Sequence, residues 1–184
     1  YRDVLSPQPP VHLTVGALLA WLGSLLPHPL YAFRLFSLLL HVATMVVVYA
    51  ATARACRGTC EGPGRVDCRL AGILAALIYM LLPLGFWWSL GYQSEPTEML
   101  LFMVSFWLLI AWTPRSACAA GITGAFPALT NMTAAPYTIF NIAYLAVRRR
   151  SLLASYGLPV LAIIAVVTVG LELLTGSYLD NVIL

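Results

Sequence analysis

A 184-residue chain that is 61% hydrophobic and 9% charged carries ten Arg, no Lys and seven acids, and a few of these stand where they could do chemistry. Asp3 sits in Tyr1-Arg2-Asp3 ahead of Gln8-Pro9-Pro10, and Arg34 opens a long apolar run. Glu95 and Glu98 lie three residues apart in Gln93-Ser94-Glu95-Pro96-Thr97-Glu98. A carboxylate beside a water-filled cavity can take a proton from a hydroxyl, and an Arg can hold a phosphate through paired hydrogen bonds. Together they suit transfer of a group away from a phosphate. The plainer reading is that all four mark helix ends, with Glu95 and Glu98 favoured near a helix N-terminus by its dipole.

The elements that must position these groups are apolar runs at 11–26, 30–53, 70–90, 97–113, 116–147 and 152–174. A soluble domain has about 25% charged residues, and runs of this length are a bilayer signature. The expected fold is therefore all-α: a polytopic transmembrane helical bundle in one domain. Arg54 to Arg69 holds four Arg against Glu61 and Asp67, and the positive-inside rule makes 54–69 a cytoplasmic loop. The 32-residue stretch 116–147 is too long for one crossing, about 48 Å against a hydrocarbon core of about 30 Å. Splitting it into spans 116–130 and 133–147, near Thr130-Asn131 and between Pro127 and Pro136, returns Arg148, Arg149 and Arg150 to the cytoplasm. Eight Arg and two acids then fall inside, with two Arg and five acids outside. That balance holds if 1–29 is an outer loop whose helix 11–26, bounded by Pro9-Pro10 and Pro27, lies at the interface without crossing. An ordinary short span with Asp3 inside is the alternative.

Tyr1-Arg2-Asp3-Val4, then Gln8-Pro9-Pro10-Val11-His12-Leu13, a short helix ending in Gly23, and Arg34 resemble the first outer loop of the GT-C glycosyltransferases. These include the protein mannosyltransferase-like and lipid A aminoarabinose transferase-like enzymes, which use polyprenyl-phosphate sugars. Ser94-Glu95-Pro96 stands where that family has an acidic residue at an outer helix start. Ala120-Gly121-Ile122-Thr123-Gly124-Ala125 resembles the opening of its short paired helices, and the triple Arg their close. The resemblance implies a juxtamembrane helix at 11–26, Asp3 in a catalytic role, Arg34 on the donor phosphate, and Glu95 or Glu98 as a supporting acid, with Glu95 preferred because it precedes Pro96. It implies a polyprenyl-phosphate-linked sugar as donor, a glycan, lipid or protein acceptor, and membrane lipid as surroundings. The family's first helix, and the acidic residue after it, would precede Tyr1. The chain therefore reads as a fragment, inactive alone.

Other signals are weaker. Cys56-x3-Cys60-x7-Cys68 has no regular metal spacing and no nearby His, so no metal site is expected, while a divalent cation at the sugar-transfer site is left open. On the cytoplasmic side thiols stay reduced, so no disulfide is expected. Asn131-Met132-Thr133 matches a glycosylation acceptor by chance. His41 is expected to be satisfied by a neighbouring helix rather than to relay protons. Phe86, Trp87, Trp88 and Tyr92 form an interfacial belt, a sugar platform or a lipid entrance. The Arg sit at the ends of apolar runs rather than on one accessible face, which argues against nucleic acid. Two functions stay open: a glycosyltransferase with its active site on the outer face of a bacterial plasma membrane, and a transporter or lipid-handling protein whose acids form an ion pathway.

Overall fold

The computed structural model describes residues 10–25, 28, 30–59, 67–81, 95–130 and 134–176. Asp3, Glu61, Cys60, Asp180, the Asn131–Thr133 triplet and the aromatic group at 86–92 lie outside the described residues. Within them the regular structure is entirely helical: α1 (Pro10–Gly23), α2 (Leu30–Thr59), α3 (Cys68–Leu81), α4 (Glu95–Leu109), α5 (Pro114–Thr130), α6 (Ala135–Arg148), a 3₁₀ turn (Arg150–Leu152) and α7 (Leu153–Thr175).

The helix ends follow local chemistry. Asp67 caps α3, its Oδ1 accepting the N–H groups of Arg69 and Leu70 at 2.9 and 3.4 Å. At α5 the cap is reciprocal: Ser116 N–H donates to Thr113 Oγ1 at 3.1 Å and Thr113 N–H to Ser116 Oγ at 3.2 Å. Pro114 opens that helix, where a missing N–H costs nothing. Gly176 ends α7 in the left-handed conformation, φ 62°, with its N–H on Glu172 O at 2.7 Å. Within the stretch 116–147 one helix ends at Thr130 and the next begins at Ala135, with Pro136 in its first turn. One expected boundary moves. Helix α2 continues to Thr59, through residues placed in the loop 54–69, because Ala and Arg there are strong helix formers and Arg57 suits the dipole of the last turn.

Contacts between helices fix their directions. Tyr49 packs on Gly72 and His41 on Tyr79, so α2 and α3 are antiparallel. Ser105 Oγ donates to Ala120 O at 2.8 Å, joining α4 to the antiparallel α5. Phe102 stacks on Tyr137 and Trp112 on Tyr144, so α6 runs parallel to α4. A buried polar knot then ties four helices: Asn141 Nδ2 donates to Ser105 Oγ at 3.1 Å and to Tyr156 OH at 3.2 Å, and Thr138 Oγ1 donates to Gly124 O at 3.0 Å. Ala120–Ala125, expected to open a helix, lies in the middle of α5, where its small residues let α7 approach.

The distribution of polarity is inverted relative to a soluble domain. Ser37, His41, Thr44, Ser105, Thr138 and Asn141 are buried, whereas Val166 is 72% and Leu173 82% exposed. Two helices, Leu30–Gly58 and Arg150–Leu174, are long and apolar enough to cross a membrane. At 14 residues, α1 is about 21 Å long, short of a hydrocarbon core of about 30 Å.

The expectation of reduced thiols is corrected at one pair. Cys56 and Cys68 form a disulfide, their Cα atoms 5.5 Å apart. The cause is proximity, which compartment reasoning ignores: the α2–α3 hairpin, held close where Gly72 meets Tyr49, brings the end of one helix to the start of the next. Cys118 is free and exposed. Blocking thiols in the denatured protein, then reducing and labelling with a maleimide polymer, should reveal two new thiols. Cys56→Ser should abolish that gain and Cys118→Ser should not. An unchanged thiol count after reduction would remove the disulfide.

Candidate functional site at the acidic end

The antiparallel order sorts the charges. The start of α2, the end of α3, the start of α4 and the start of α6 share one end of the bundle, and Glu95 and Glu98 lie there in the first turn of α4. A dipole argument predicts acids at this place but not their burial, which costs several kcal/mol for an ion in a low-dielectric interior, roughly, even after relaxation. Glu98 is nevertheless 2% exposed. Glu95 is half-buried, and its Oε2 is buried without a hydrogen-bond partner among the described residues.

Tyr137, in the first turn of α6, lies within electrostatic reach of both carboxylates. Its ring is held by stacking on Phe102, one turn inward from Glu98, with centroids 4.9 Å apart. Tyr79 of α3 also lies within electrostatic reach of Tyr137. The Tyr79 hydroxyl is hydrogen-bonded with Thr44, whose Oγ1 donates to Leu40 O at 2.8 Å, and the Tyr79 ring stacks on His41 at 5.0 Å. His41 is thus packed against a neighbouring helix through Tyr79.

Of the four expected site residues, the structure brings Glu95 and Glu98 together. Arg34 is exposed, four residues into α2 and at the same end as the acids. It lies one turn outward of Ser37 and two turns outward of His41, along the edge of the face that α2 buries. Asp3 lies outside the described residues. Sequence reasoning missed Tyr137 and Tyr79, because nothing marks a Tyr near a helix end as facing an acid on another helix. Asn141 had a visible signal, a carboxamide inside an apolar run, which needs partners from other helices.

Chemically, a buried carboxylate beside a second carboxylate and a phenol can accept a proton, orient a hydroxyl or attract a cation. Among the described residues no group of three or more His, Cys, Asp and Glu could hold a metal ion. No protein-family model, curated protein or solved structure matches this chain.

Proposed function

We propose that the chain is the N-terminal membrane region of a GT-C-type glycosyltransferase, a polytopic bundle that moves a sugar from a polyprenyl-phosphate carrier to a glycan, lipid or protein acceptor at the outer face of a bacterial plasma membrane. The observation that carries this reading is Glu98, buried near the half-buried Tyr137 at the end opposite the arginine cluster of α2, α3, α5 and α6. The positive-inside rule turns that end outward, and the resemblance puts an acidic residue at this helix start. Exposed apolar faces on α2, α3 and α7 support a lipid setting. The shorter α4, α5 and α6, of 15, 17 and 14 residues, suit crossings that lie against other helices or a watery cavity.

In the reaction a hydroxyl of the acceptor attacks the anomeric carbon, its proton passes to a carboxylate, and the carbon–oxygen bond to the carrier phosphate breaks with its electron pair. Asp3 takes the base role in this reading. Arg34 neutralises charge on the departing phosphate, and Glu95 and Glu98 orient the acceptor and hold the local charge. The scheme takes the polyprenyl-phosphate-linked sugar as donor and leaves a divalent cation open.

A second reading is favoured by the titratable groups inside the bundle, the buried Glu98 near Tyr137 and His41 stacked on Tyr79, which would suit passage of a proton or cation through a transporter. Assay of the full-length protein in proteoliposomes with a polyprenyl-phosphate sugar separates the two. Asp3→Asn should lower turnover about 10²-fold at matched protein levels, the scale of general-base loss. Arg34→Leu should weaken donor binding by about 10- to 100-fold through loss of a charge-assisted contact. Unchanged turnover in Asp3→Asn would return the transporter reading to first place.

A further inference from the structure

We propose that the arginine-rich end of the bundle binds the phosphate headgroups of anionic bilayer phospholipids. The inference rests on the membrane setting and not on sugar transfer. The fold gathers at that end Arg54 and Arg57 from α2, Arg69 from α3, Arg115 from α5, and Arg148, Arg149 and Arg150 from the junction of α6 and α7, all exposed. In the sequence they stand apart, each at the end of an apolar run. Contacts put them together: the Arg54 guanidinium lies 5.6 Å from the Trp107 ring centroid, the Arg149 guanidinium 5.9 Å from that of Trp112, and the disulfide joins the helix ends that carry Arg57 and Arg69.

Seven like charges on one face repel one another unless an anion joins them. Among the described residues the acid at this end is Asp67, and its Oδ1 is occupied in capping α3. The guanidinium fork matches a phosphate in geometry, binding two oxygens at once. Arg150 is already aimed, its Nε donating to Ala146 O at 3.0 Å, which leaves its terminal nitrogens for another acceptor.

Two features choose a lipid over a free anion. Next to the arginines the same helices expose apolar side chains: Leu70, Ile73 and Leu74 on α3, Val147 on α6, Leu158 and Leu161 on α7. A phosphodiester with acyl chains fits a cationic rim above an apolar collar, whereas free phosphate uses the rim alone. The second is Trp107 and Trp112, the residue type that settles at headgroup depth, each beside an Arg. Trp112 is held at φ 55°, and in that conformation its ring stacks on Tyr144 and lies beneath Arg149.

The test uses the full-length protein in nanodiscs of phosphatidylcholine containing phosphatidylglycerol, with retained lipid counted by native mass spectrometry. The wild type should retain phosphatidylglycerol over phosphatidylcholine. Joint Arg54→Gln, Arg149→Gln and Arg150→Gln should weaken that preference about fivefold for each Arg removed. The corresponding triple change to Lys, which keeps the charge and serves if the Gln variant fails to fold, should retain most of it. His28→Gln, exposed at the opposite end, should change nothing. Equal retention of the two lipids by the wild type, displacement of phosphatidylglycerol by inorganic phosphate at constant ionic strength, or an equal loss in His28→Gln would overturn the proposal.

Discussion

Gly121→Val should leave little folded protein, because the space for its side chain is occupied by backbone. A Cβ at Gly121 would press on the carbonyl oxygen of Tyr156, with the carbonyl carbon at 3.1 Å and Pro159 Cβ at 3.3 Å. No rotamer change relieves a clash with a main-chain carbonyl, so α7 would have to move off α5. That movement also pulls Tyr156 from Asn141, and with it the knot that joins α4, α5, α6 and α7. In lipid the loss is large, since helix association there depends on close packing and interhelical hydrogen bonds rather than on apolar burial. Overpacking alone costs about 1–3 kcal/mol, and the broken hydrogen bonds add about 1 kcal/mol each. Gly124→Ala should be milder, because its Cβ meets the hydroxyl ends of Tyr156 and Ser105, at 2.6 and 3.0 Å, which can turn aside. Gly170 has nothing within 4 Å, so Gly170→Ala should be neutral or stabilising by up to about 1 kcal/mol of helix propensity. Thermal melts of the full-length protein, followed by size-exclusion fluorescence in detergent, rank the three. A Gly121→Val variant as stable as Gly170→Ala would show that the two helices do not meet as described.

What the sequence made legible was carried by local pattern. The long apolar helices at Leu30–Thr59 and Leu153–Thr175 are visible as runs, and the interruption of 116–147 is visible from Pro127, Pro136 and the position of the triple Arg. The acid pair at the start of α4 was visible as charge beside Pro96. What was missed depends on which helix meets which. The disulfide needed the α2–α3 hairpin, and the role of Gly121 needed α7 across from it. Tyr137 needed the parallel pairing of α4 and α6 to be recognised as a neighbour of Glu98. The sorting of eight arginines to one side was legible from the positive-inside count, but which side chains they meet there, Trp107 for Arg54 and Trp112 for Arg149, needed the fold. Asn141 falls between these cases: its presence in an apolar run signals a partner, but only the fold supplies Ser105 and Tyr156.

On the glycosyltransferase reading proposed above, Glu98→Gln should lower sugar transfer about 10²-fold or more in the full-length protein while leaving the fold about as stable as before. The two halves of this expectation have one cause. Holding a carboxyl group at 2% exposure carries a desolvation cost that an isosteric carboxamide reduces. A group that costs stability and is kept at the mouth of a bundle is the pattern of a functional site, where activity and stability oppose each other. Glu95→Gln should have the smaller effect, because Glu95 is half-buried and reaches more solvent, although its place before Pro96 had made it the preferred acid. Tyr137→Phe removes the phenol beside both acids and keeps the stack on Phe102. If Glu98 acts on the acceptor hydroxyl through Tyr137, that variant should lower kcat with little change in the KM for the lipid-linked donor. The measurements are initial rates in proteoliposomes over a range of donor and acceptor, beside thermal melts of each variant in the same detergent. A Glu98→Gln protein that melts early and regains its rate when corrected for folded fraction would make Glu98 a structural acid. One that melts late, keeps full transfer and loses proton or cation flux into the liposomes would assign the buried acid to a transport pathway instead.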